Sequence, residues 1–391
     1  MSYPITGFAL ANSLGTTTDA VVDRAFAGDS AFVPAGEVFD VPFATVLGAM
    51  PAVEQGPELA CVMTRVATIA LASVRQIKRA TDAAIERWGA GRVAYVFASS
   101  TGGLEETERT LAPDPRLPAV DTYRYANHLI DATVPAVMQY LGLAGVHLTV
   151  STACSSGLTA LASAVRLIDH GLADAVVVGS ADSLSRTTVV GFHSLGLLAP
   201  TATRPMSRDR AGITLGEGSA YLVIERSTEA THAAALASLT GMGAACDAHH
   251  HTTPHPEGRG GQQAMREALD RARLSPNVIS YVSAHGTGTA QNDATEALAV
   301  GRVFERPVPV TATKSLTGHT LGTAGLTSIA LAIESVRRQQ IPPTARVTPD
   351  PALGVHVVDA VVAADVEHVM VNGFGFGGSN ASAVVSRVNV R

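Results

Sequence analysis

A cysteine and two histidines, each among small residues, are the groups in this sequence with the clearest chemical meaning. Cys154 lies in Val150–Leu158, where an apolar run breaks into small polar residues and then resumes. His285 and His319 each lie in a segment rich in glycine and threonine, which leaves room for a substrate beside the ring. A thiol with two imidazoles suits acyl transfer through a covalent thioester, in which an imidazole donates hydrogen bonds from Nε2 or acts as a general base.

Each of these residues also has an ordinary structural explanation when it is taken alone. Cysteine is often fully buried as a small apolar side chain, and His285 and His319 are two of 13 histidines in the chain. The elements that carry them favour the chemical explanation. We interpret the segment around Cys154 as strand, sharp turn and helix, so that the thiol lies at a helix N-terminus, where free N–H groups and the helix dipole favour the thiolate.

Short apolar strands that alternate with helices predict an α/β fold of buried, largely parallel sheets covered by helices. In such folds the residues at the carboxyl ends of the strands form the ligand crevice. Glycine-rich segments follow several predicted strands, and those segments contain Cys154, His285, His319 and Phe376. The predicted strands cover residues 4–11, 92–98, a run that ends at Val150, 175–179, 219–225, 278–284, 308–311 and 367–372. The strand at 367–372 is predicted to be the final one. The predicted helices cover residues 17–26, two helices within 57–89, 261–272, a stretch from about 292 and a stretch that ends at 339, whereas residues 190–215 are predicted as a loop.

The same rhythm of strands and helices recurs in both halves of the chain, which favours an internal duplication. The chain becomes polar and charged around residues 226–234, so we place a boundary there. Residues 1–233 then carry Cys154, and residues 234–391 carry both histidines. With 391 residues, of which 46% are hydrophobic, the chain can bury a large core.

Composition and charge argue against nucleic acid and membrane as partners. The formal net charge is -6 and there are no runs of Lys or Arg, so nucleic acid is not an expected partner. Residues 132–165 contain no Asp, Glu, Lys or Arg, but the turn at Leu141–Gly145 and the many Ser and Thr residues are not those of a membrane span. We therefore predict that this charge-free segment is deeply buried.

The cysteines indicate a reducing compartment. Cys61, Cys154 and Cys246 form no C-x-x-C pair and are odd in number, which is unlike a disulfide framework. The first residues show no basic segment followed by an apolar core, so no signal peptide is predicted and the cytoplasm is the expected location. The histidine-rich segment 247–255 lacks the ordered spacing of a zinc site, so no metal is predicted.

These features together resemble the β-ketoacyl-(acyl-carrier-protein) synthases, condensing enzymes of the thiolase-like superfamily. The resemblance extends over essentially the whole chain, and its order of Cys, His and His is that of the elongating synthases. Initiating synthases carry Cys-His-Asn and thiolases carry Cys-His-Cys. The resemblance implies two similar βα halves stacked as five layers, α-β-α-β-α. The matching segments are residues 6–7, 100–103, the Cys154 turn, 208–212, 216–218, both histidine segments and 372–380.

The resemblance also implies an activity and its partners. Cys154 would accept the growing acyl chain, and His285 and His319 would assist the decarboxylation of malonyl-acyl carrier protein by stabilising the enolate. No cofactor would be bound permanently, because the phosphopantetheine arm belongs to the acyl carrier protein. The chain would act as a homodimer or as a heterodimer with a ketosynthase-like subunit.

Further site residues follow from the same resemblance. Lys314 would support the site electrostatically, with Glu296 as the matching carboxylate. The backbone N–H groups of Cys154 and Phe376 would form an oxyanion hole, and Phe376 would also act as a gate. The positions that match contacts to the phosphopantetheine arm and the substrate are Thr287, Thr289 and Phe374.

The sequence leaves some alternatives open. A catalytically idle subunit that sets chain length keeps this fold, although such subunits lack the cysteine, and a non-decarboxylating acyltransferase could use the same fold. Fatty-acid, polyketide and polyene synthesis are all compatible, because the departures from the family pattern fall in segments that shape the pocket. These departures are Met206, Ser207, Ile213, Ala290 and Gly373.

Overall fold

A computed structural model describes residues 2–54, 56–59, 62, 64–111, 125–304 and 306–388, so Cys61 lies outside the described residues. The strands, in chain order, are β1 (Tyr3–Asn12), β2 (Val33–Pro34), β3 (Val46–Gly48), β4 (Val93–Ala98), β5 (His147–Val150), β6 (Ala175–Asp182), β7 (Leu215–Gly216), β8 (Gly218–Glu225), β9 (Ala237–Cys246), β10 (Tyr281–Ser283), β11 (Pro309–Thr311), β12 (Gln340–Ile341), β13 (His356–Val357), β14 (Val362–Ala363), β15 (His368–Gly375) and β16 (Ser379–Ser386). The helices are α1 (Thr18–Phe26), α2 (Arg65–Trp88), α3 (Leu104–Leu111), α4 (Val134–Leu141), α5 (Ser156–Asp169), α6 (Arg186–Ser194), α7 (Glu229–Ala233), α8 (Arg259–Ala272), α9 (Ala290–Val303), α10 (Lys314–Thr317) and α11 (Ala324–Arg338).

The elements differ from the sequence prediction in a few places. The region predicted as two helices holds one long helix, α2, after a 3-10 turn at Pro57–Leu59. Helix α6 extends into the predicted loop, and the Ser185 hydroxyl caps it by accepting from the Thr188 N–H. Strand β15 is not the final one, because a short turn at Phe376–Gly378 leads into its antiparallel partner β16.

Hydroxyl side chains explain where several helices begin. Thr17, Thr64, Ser185 and Thr289 each accept a hydrogen bond from the backbone N–H three residues further on. Such a cap supplies an acceptor that the first turn of a helix lacks. The cap at Thr289 matters for function, since it fixes the start of α9 directly after the segment that carries His285.

Two groups of strands with the same topology join into one 11-stranded sheet. The strand order is β13-β11-β10-β15-β16-β9-β1-β8-β6-β4-β5. In the N-terminal group, β4 is parallel to β5 and β6, whereas β8 is antiparallel to β6 and β1. In the C-terminal group, β10 is parallel to β11 and β15, whereas β16 is antiparallel to β15 and β9. The pairing pattern is thus repeated, and the prediction of largely parallel sheets is wrong because the antiparallel strands β1, β8, β9 and β16 lie between the parallel ones.

The layers follow from the alternation of side chains along each strand. On β4, Val96 packs in the core that contains α5 and α11, while Tyr95 packs against α2 and α4. On β15, Val371 packs in that same core of α5 and α11, while Met370 packs against α8 and α9. Helices α5 and α11 are therefore a central layer between two sheet portions, and the outer helices complete five layers, as predicted.

The charge-free segment 132–165 is only partly buried. Helices α4 and α5 bury most of their residues, but His147–Thr149 of β5 are exposed because β5 is the edge strand of the sheet. Val146 and Leu148 are 43% and 39% exposed. In the single chain β5 is therefore the exposed part of this segment. Within the described ranges, no helix combines the length and the apolar character needed to cross a membrane.

Replacement of Leu161 by Ala in the central layer is expected to lower the free energy of unfolding by about 2–5 kcal/mol. Leu161 is 0% exposed, so the substitution leaves a cavity between the sheet portions. Leu172→Ala is the matched control, because Leu172 is 54% exposed and its truncation removes little buried area. Urea denaturation followed by fluorescence measures both, and equal midpoints for the two variants would contradict the central layer.

Candidate active site

The nucleophile turn, residues 151–155, joins β5 to α5 and carries Cys154. Ala153 has a φ of 51°, a left-handed conformation that residues other than glycine avoid, so its surroundings must hold it. The Ser156 hydroxyl donates to the Ala153 carbonyl at 2.6 Å and accepts from the Thr152 N–H at 2.8 Å. The predicted order of strand, sharp turn and helix is present, and the helix begins just after the thiol.

Cys154, His285 and His319 come together in one buried site. The sulfur and a ring nitrogen of each histidine all lie within 4.8 Å of one another. The two ring centroids are 5.4 Å apart, and the rings are nearly perpendicular at 85°. The three side chains follow β5, β10 and β11, so the ends of strands from both sheet portions bring together residues far apart in the sequence.

Burial controls the ionisation of the Cys154 thiol. Loss of hydration raises its pKa to about 11, although the charge of Lys314 and the N–H groups of Phe376 and Cys154 lower it. The carboxylate of Asp182 adds to the rise. The N–H groups near the start of α5 thus favour the thiolate, as predicted, but the loss of water outweighs them.

Both imidazoles are neutral at physiological pH. Burial, helped by the nearby charge of Lys314, holds the pKa of His285 and of His319 well below the usual value. The Lys314 ammonium lies 3.4 Å from Nδ1 of His285, and an ammonium only donates, so Nδ1 is the acceptor and the ring proton is on Nε2. Nδ1 of His319 is buried and has no hydrogen-bond partner in the part of the chain that the structure describes.

Lys314 is a buried cation held by a backbone carbonyl. Its ammonium donates to the His285 carbonyl at 2.5 Å. Burial lowers the pKa of Lys314 to about 8, and the charge of Glu296 is the strongest effect that opposes this lowering. Glu296 was expected to be the matching carboxylate, but it acts only through space. Its oxygens accept instead from the N–H groups of His285 at 2.7 Å and Gly286 at 2.8 Å.

A narrow cavity of about 60 Å³ leads to the thiol and the imidazoles. Thr287 and Thr289 line it, with their hydroxyl oxygens 3.0 Å apart. The ring of Phe374 also lines it and has its centroid 6.1 Å from that of His285. The cavity is therefore lined by hydroxyl groups as well as by the thiol and the two imidazoles.

The Phe376 segment covers the nucleophile turn. The backbone N–H of Phe376 lowers the pKa of the Cys154 thiol, and the ring of Phe376 stacks on Phe192 with centroids 5.5 Å apart. A Cβ on Gly375 would lie 3.0 Å from the Thr152 carbonyl, so only glycine permits this close approach. The Cys154 N–H lowers the thiol pKa as well, so both N–H groups that the sequence predicts for the oxyanion hole act on the sulfur.

The histidine-rich segment 247–255 lies at the cavity mouth. Thr252, Thr253 and Pro254 line the cavity, and the rings of His249 and His255 have their centroids 5.1 Å apart. Among the residues that the structure describes, these histidines do not form a group close enough to hold an ion; the group that does is the Cys154 site itself.

Sequence comparisons agree with this geometry. Residues 53–230 match the beta-ketoacyl synthase N-terminal domain, and residues 236–348 match the beta-ketoacyl synthase C-terminal domain. The chain is 34% identical over 319 residues to 3-oxoacyl-[acyl-carrier-protein] synthase 2 of Vibrio cholerae, covering 76% of this chain and 77% of that protein. The chain belongs to the β-ketoacyl synthase family. Both the resemblance inferred from the sequence and the thiolase-like fold are confirmed.

Solved structures of ketosynthases share the fold of this family member. A chain of the Xenorhabdus doucetiae complex of a ketosynthase with its chain length factor matches with a TM-score of 0.90 and 33% identity, over 99% of this chain and 98% of that chain. A beta-ketoacyl synthase from Burkholderia phymatum matches with a TM-score of 0.89 and 30% identity, over 99% of both chains. The similarity therefore extends over the whole length.

Two residues that support the histidine segment of this family member were not found from the sequence. Asp293 accepts from the N–H groups of Met206 at 2.7 Å and Gly288 at 3.1 Å. The side-chain amide of Asn372 donates to Glu296 at 3.2 Å. The available signal was position alone, since Asp293 falls in the first turn of a predicted helix and Asn372 immediately precedes the last glycine-rich segment.

The departures from the family pattern differ in how close they come to the cavity. Ile213 lines it, whereas Ser207 and Ala290 are not among its lining residues. Met206 adopts a φ of 61° and so marks a strained loop. A Cβ on Gly373 would lie 2.9 Å from the Leu158 side chain, so the absence of a side chain there lets α5 pack against β15.

Replacement of Lys314 by Met is expected to slow the alkylation of Cys154 at pH 8. The substitution removes the cation that lowers the thiol pKa, and each unit of rise reduces the thiolate about tenfold. Iodoacetamide labelling followed by mass spectrometry measures the rate. Lys78→Met is the matched control, because Lys78 is the other lysine of the chain and pairs with Asp82 on α2. An unchanged labelling rate in Lys314→Met would show that the charge of Lys314 does not lower the pKa of the Cys154 thiol.

Proposed function

We propose that this protein is an elongating ketosynthase. It condenses an acyl chain carried on Cys154 with malonyl-acyl carrier protein, with loss of carbon dioxide, and forms 3-oxoacyl-acyl carrier protein. The observation that carries the proposal is the meeting of one thiol and two neutral imidazoles, with ligand atoms within 4.8 Å, at the end of a narrow cavity. The product belongs to fatty-acid, polyketide or polyene synthesis.

The first step loads the acyl chain. The sulfur of Cys154 attacks the acyl thioester, a carbon–sulfur bond to Cys154 forms, and the thiol of the phosphopantetheine arm leaves. Because burial raises the thiol pKa to about 11, the proton must pass to a base as the bond forms. That base is the leaving thiolate of the phosphopantetheine arm, because Nε2 of His285 already carries a proton.

The second step removes carbon dioxide from the malonyl group. As the carbon–carbon bond to the carboxylate breaks, negative charge develops on the thioester oxygen of the enolate. Nε2–H groups of His285 and His319 donate to that oxygen, and a preorganised donor of this kind contributes roughly 3–4 kcal/mol. Lys314 helps by holding the proton of His285 on Nε2.

The third step forms the new carbon–carbon bond. The enolate carbon attacks the thioester carbonyl on Cys154, and the tetrahedral intermediate collapses with the Cys154 sulfur as leaving group. Its oxyanion is stabilised by the N–H groups of Cys154 and Phe376, both of which lower the thiol pKa. The Cys154 thiolate then takes up one proton from the solvent, which balances the loss of the malonyl carboxylate as carbon dioxide.

The substrate arm enters along the cavity wall. Thr287 and Thr289 offer hydroxyl groups to the phosphopantetheine arm of the carrier protein, and Phe374 packs beside it. Phe376 acts as a gate: its stacking on Phe192 closes the way past the thiol, and the ring must move for a long acyl chain to enter. No cofactor is bound permanently, because the arm arrives and leaves with its carrier.

The exposed edge of β5 supports a dimer. An edge strand with exposed apolar residues such as Val146 and Leu148 pairs readily with another chain. A structural neighbour is a complex of a ketosynthase with its chain length factor, so the second subunit is either a copy of this chain or a ketosynthase-like protein. The chain itself is the active subunit, because it has the cysteine that an idle subunit lacks.

The organisation and the location of the chain complete the proposal. The boundary between residues 233 and 234 separates the half that carries the nucleophile from the half that carries both histidines, and each half contains one copy of the repeated strand pattern. The cytoplasm is the proposed location, since the described cysteines Cys154 and Cys246 are free thiols, as a reducing compartment keeps them.

Incubation with acyl-acyl carrier protein is expected to give an acyl adduct on Cys154, seen by intact mass and peptide mapping. Addition of malonyl-acyl carrier protein should then release carbon dioxide. In His319→Ala the adduct should still form, whereas release of carbon dioxide should fall about 100–1000-fold, as for removal of one oxyanion donor. His232→Ala is the matched control, because His232 lies on α7 away from the cavity lining.

Different failures of this experiment have different meanings. An adduct that appears on a second subunit and never on Cys154 would identify an idle chain-length-determining subunit. An adduct on Cys154 without release of carbon dioxide from the malonyl thioester would identify a non-decarboxylating acyltransferase.

Replacement of Leu148 by Glu is expected to convert the dimer to a monomer, because a charge on the edge of β5 opposes pairing. Light scattering coupled to size-exclusion chromatography measures the mass. Leu298→Glu is the control, since Leu298 has the same exposure, 39%, but lies on α9. A wild-type chain that is monomeric and co-purifies with no ketosynthase-like subunit would contradict the dimer.

A further inference from the structure

Asp182 is a buried carboxylate beside the nucleophile turn that the three reaction steps do not use. It is the last residue of β6 and is 0% exposed. Its Oδ1 accepts from the N–H groups of Ser100 at 2.7 Å and Thr101 at 2.9 Å, and from the hydroxyls of Ser99 and Thr101, each at 2.9 Å. Its Oδ2 is buried and has no hydrogen-bond partner in the described part of the chain.

One further hydrogen bond connects the residues that Asp182 holds to the residue directly before Cys154. The Ser100 hydroxyl donates to the carbonyl of Ala153 at 3.0 Å, and Ala153 is the left-handed residue directly before Cys154. A Cβ on Gly322 would lie 2.8 Å from Oδ2 of Asp182, so the carboxylate also touches the segment that follows His319. Asp182 therefore joins the turn after β4 to the nucleophile turn and packs against the histidine segment.

We propose that Asp182 is a positioning residue for the Cys154 nucleophile. Its carboxylate holds residues 99–101, and through the Ser100 hydroxyl it holds the Ala153 carbonyl in the strained conformation that directs the thiol into the cavity. The proposal deepens the proposed function, since it concerns the same thiol.

The chemistry of the site favours this role over a purely structural one. Burial of a carboxylate with one unpaired oxygen is unfavourable, and an amide or apolar residue could end a strand without that cost. Burial raises the pKa of Asp182 to about 6, so the group is ionised at neutral pH, and its charge raises the thiol pKa. The other charged or titratable groups around the thiol are Lys314, His285 and His319.

The test is the rate of iodoacetamide labelling of Cys154 as a function of pH, measured on the full chain together with acyl loading. Labelling needs no carrier protein, so it reports on the position and ionisation of the thiol even if the proposed function is wrong. Asp182→Ala removes every bond to residues 99–101 and is expected to slow acyl loading about 100-fold, as a misplaced nucleophile does. Ser100→Ala breaks the bond to Ala153 alone and should slow loading without moving the pH midpoint of labelling.

Asp182→Asn separates charge from position. It keeps an acceptor oxygen for the N–H groups of Ser100 and Thr101, so loading should stay within about threefold of the wild type, an estimate that follows from the retained geometry. It removes the charge that raises the thiol pKa, so the midpoint of labelling should move to lower pH. Glu225→Gln is the control: Glu225 is equally buried, at the opposite end of the neighbouring strand β8, and should leave the midpoint unchanged.

Loading and labelling in Asp182→Ala that equal the wild type, with a native circular dichroism spectrum, would overturn the proposal. If Asp182→Ala does not fold, the other variants decide. A midpoint in Asp182→Asn that matches the wild type, together with wild-type loading in Ser100→Ala, would then show that Asp182 only stabilises the fold.

Discussion

The exclusion of water from the site is the constraint on which the rest of this structure depends. Cys154, His285, Lys314 and His319 are all buried, and burial is the largest influence on the pKa of each. The imidazoles are neutral and can donate from Nε2 as charge develops on a substrate oxygen. In a dry site such donors act strongly, because no solvent competes with them. The same burial disfavours the Cys154 thiolate. Because the thiol pKa is raised, the proton must be lost during the loading step.

The repeated strand pattern supplies the geometry that keeps these groups together. The nucleophile follows β5 and His319 follows β11, which occupy equivalent positions in the two groups of strands. Helices α5 and α11, which continue from these segments, are the central layer of the fold. Each group also has a polar residue on an equivalent strand that supports a neighbouring turn. Asp182 on β6 accepts directly from the turn after β4. Asn372 on β15 donates to Glu296, which accepts from the turn after β10. The site is built from two similar supports.

The exclusion of water from the site explains why the buried cation at position 314 is a lysine and not an arginine. The chain has only two lysines, Lys78 and Lys314, and otherwise uses arginine. A buried arginine would stay charged at every accessible pH, and its planar fork of five donors suits bidentate partners rather than one carbonyl and one ring nitrogen. An ammonium can hold the His285 carbonyl, direct the ring proton to Nε2, and still have its pKa lowered to about 8 by burial.

The sequence by itself determined the class of fold, the repeated alternation of strands and helices, and which residues we propose as the reacting groups. Strand and helix periodicity, glycine-rich strand ends and the flanks of Cys154, His285 and His319 are local features that short-range physics decides. The tertiary structure alone decided the thiol pKa, the hydrogen-bond partners of Glu296, the exposed edge at β5 and the contacts of Asp182. Each of these depends on solvation or on contacts between residues distant in the chain, and a linear pattern contains neither.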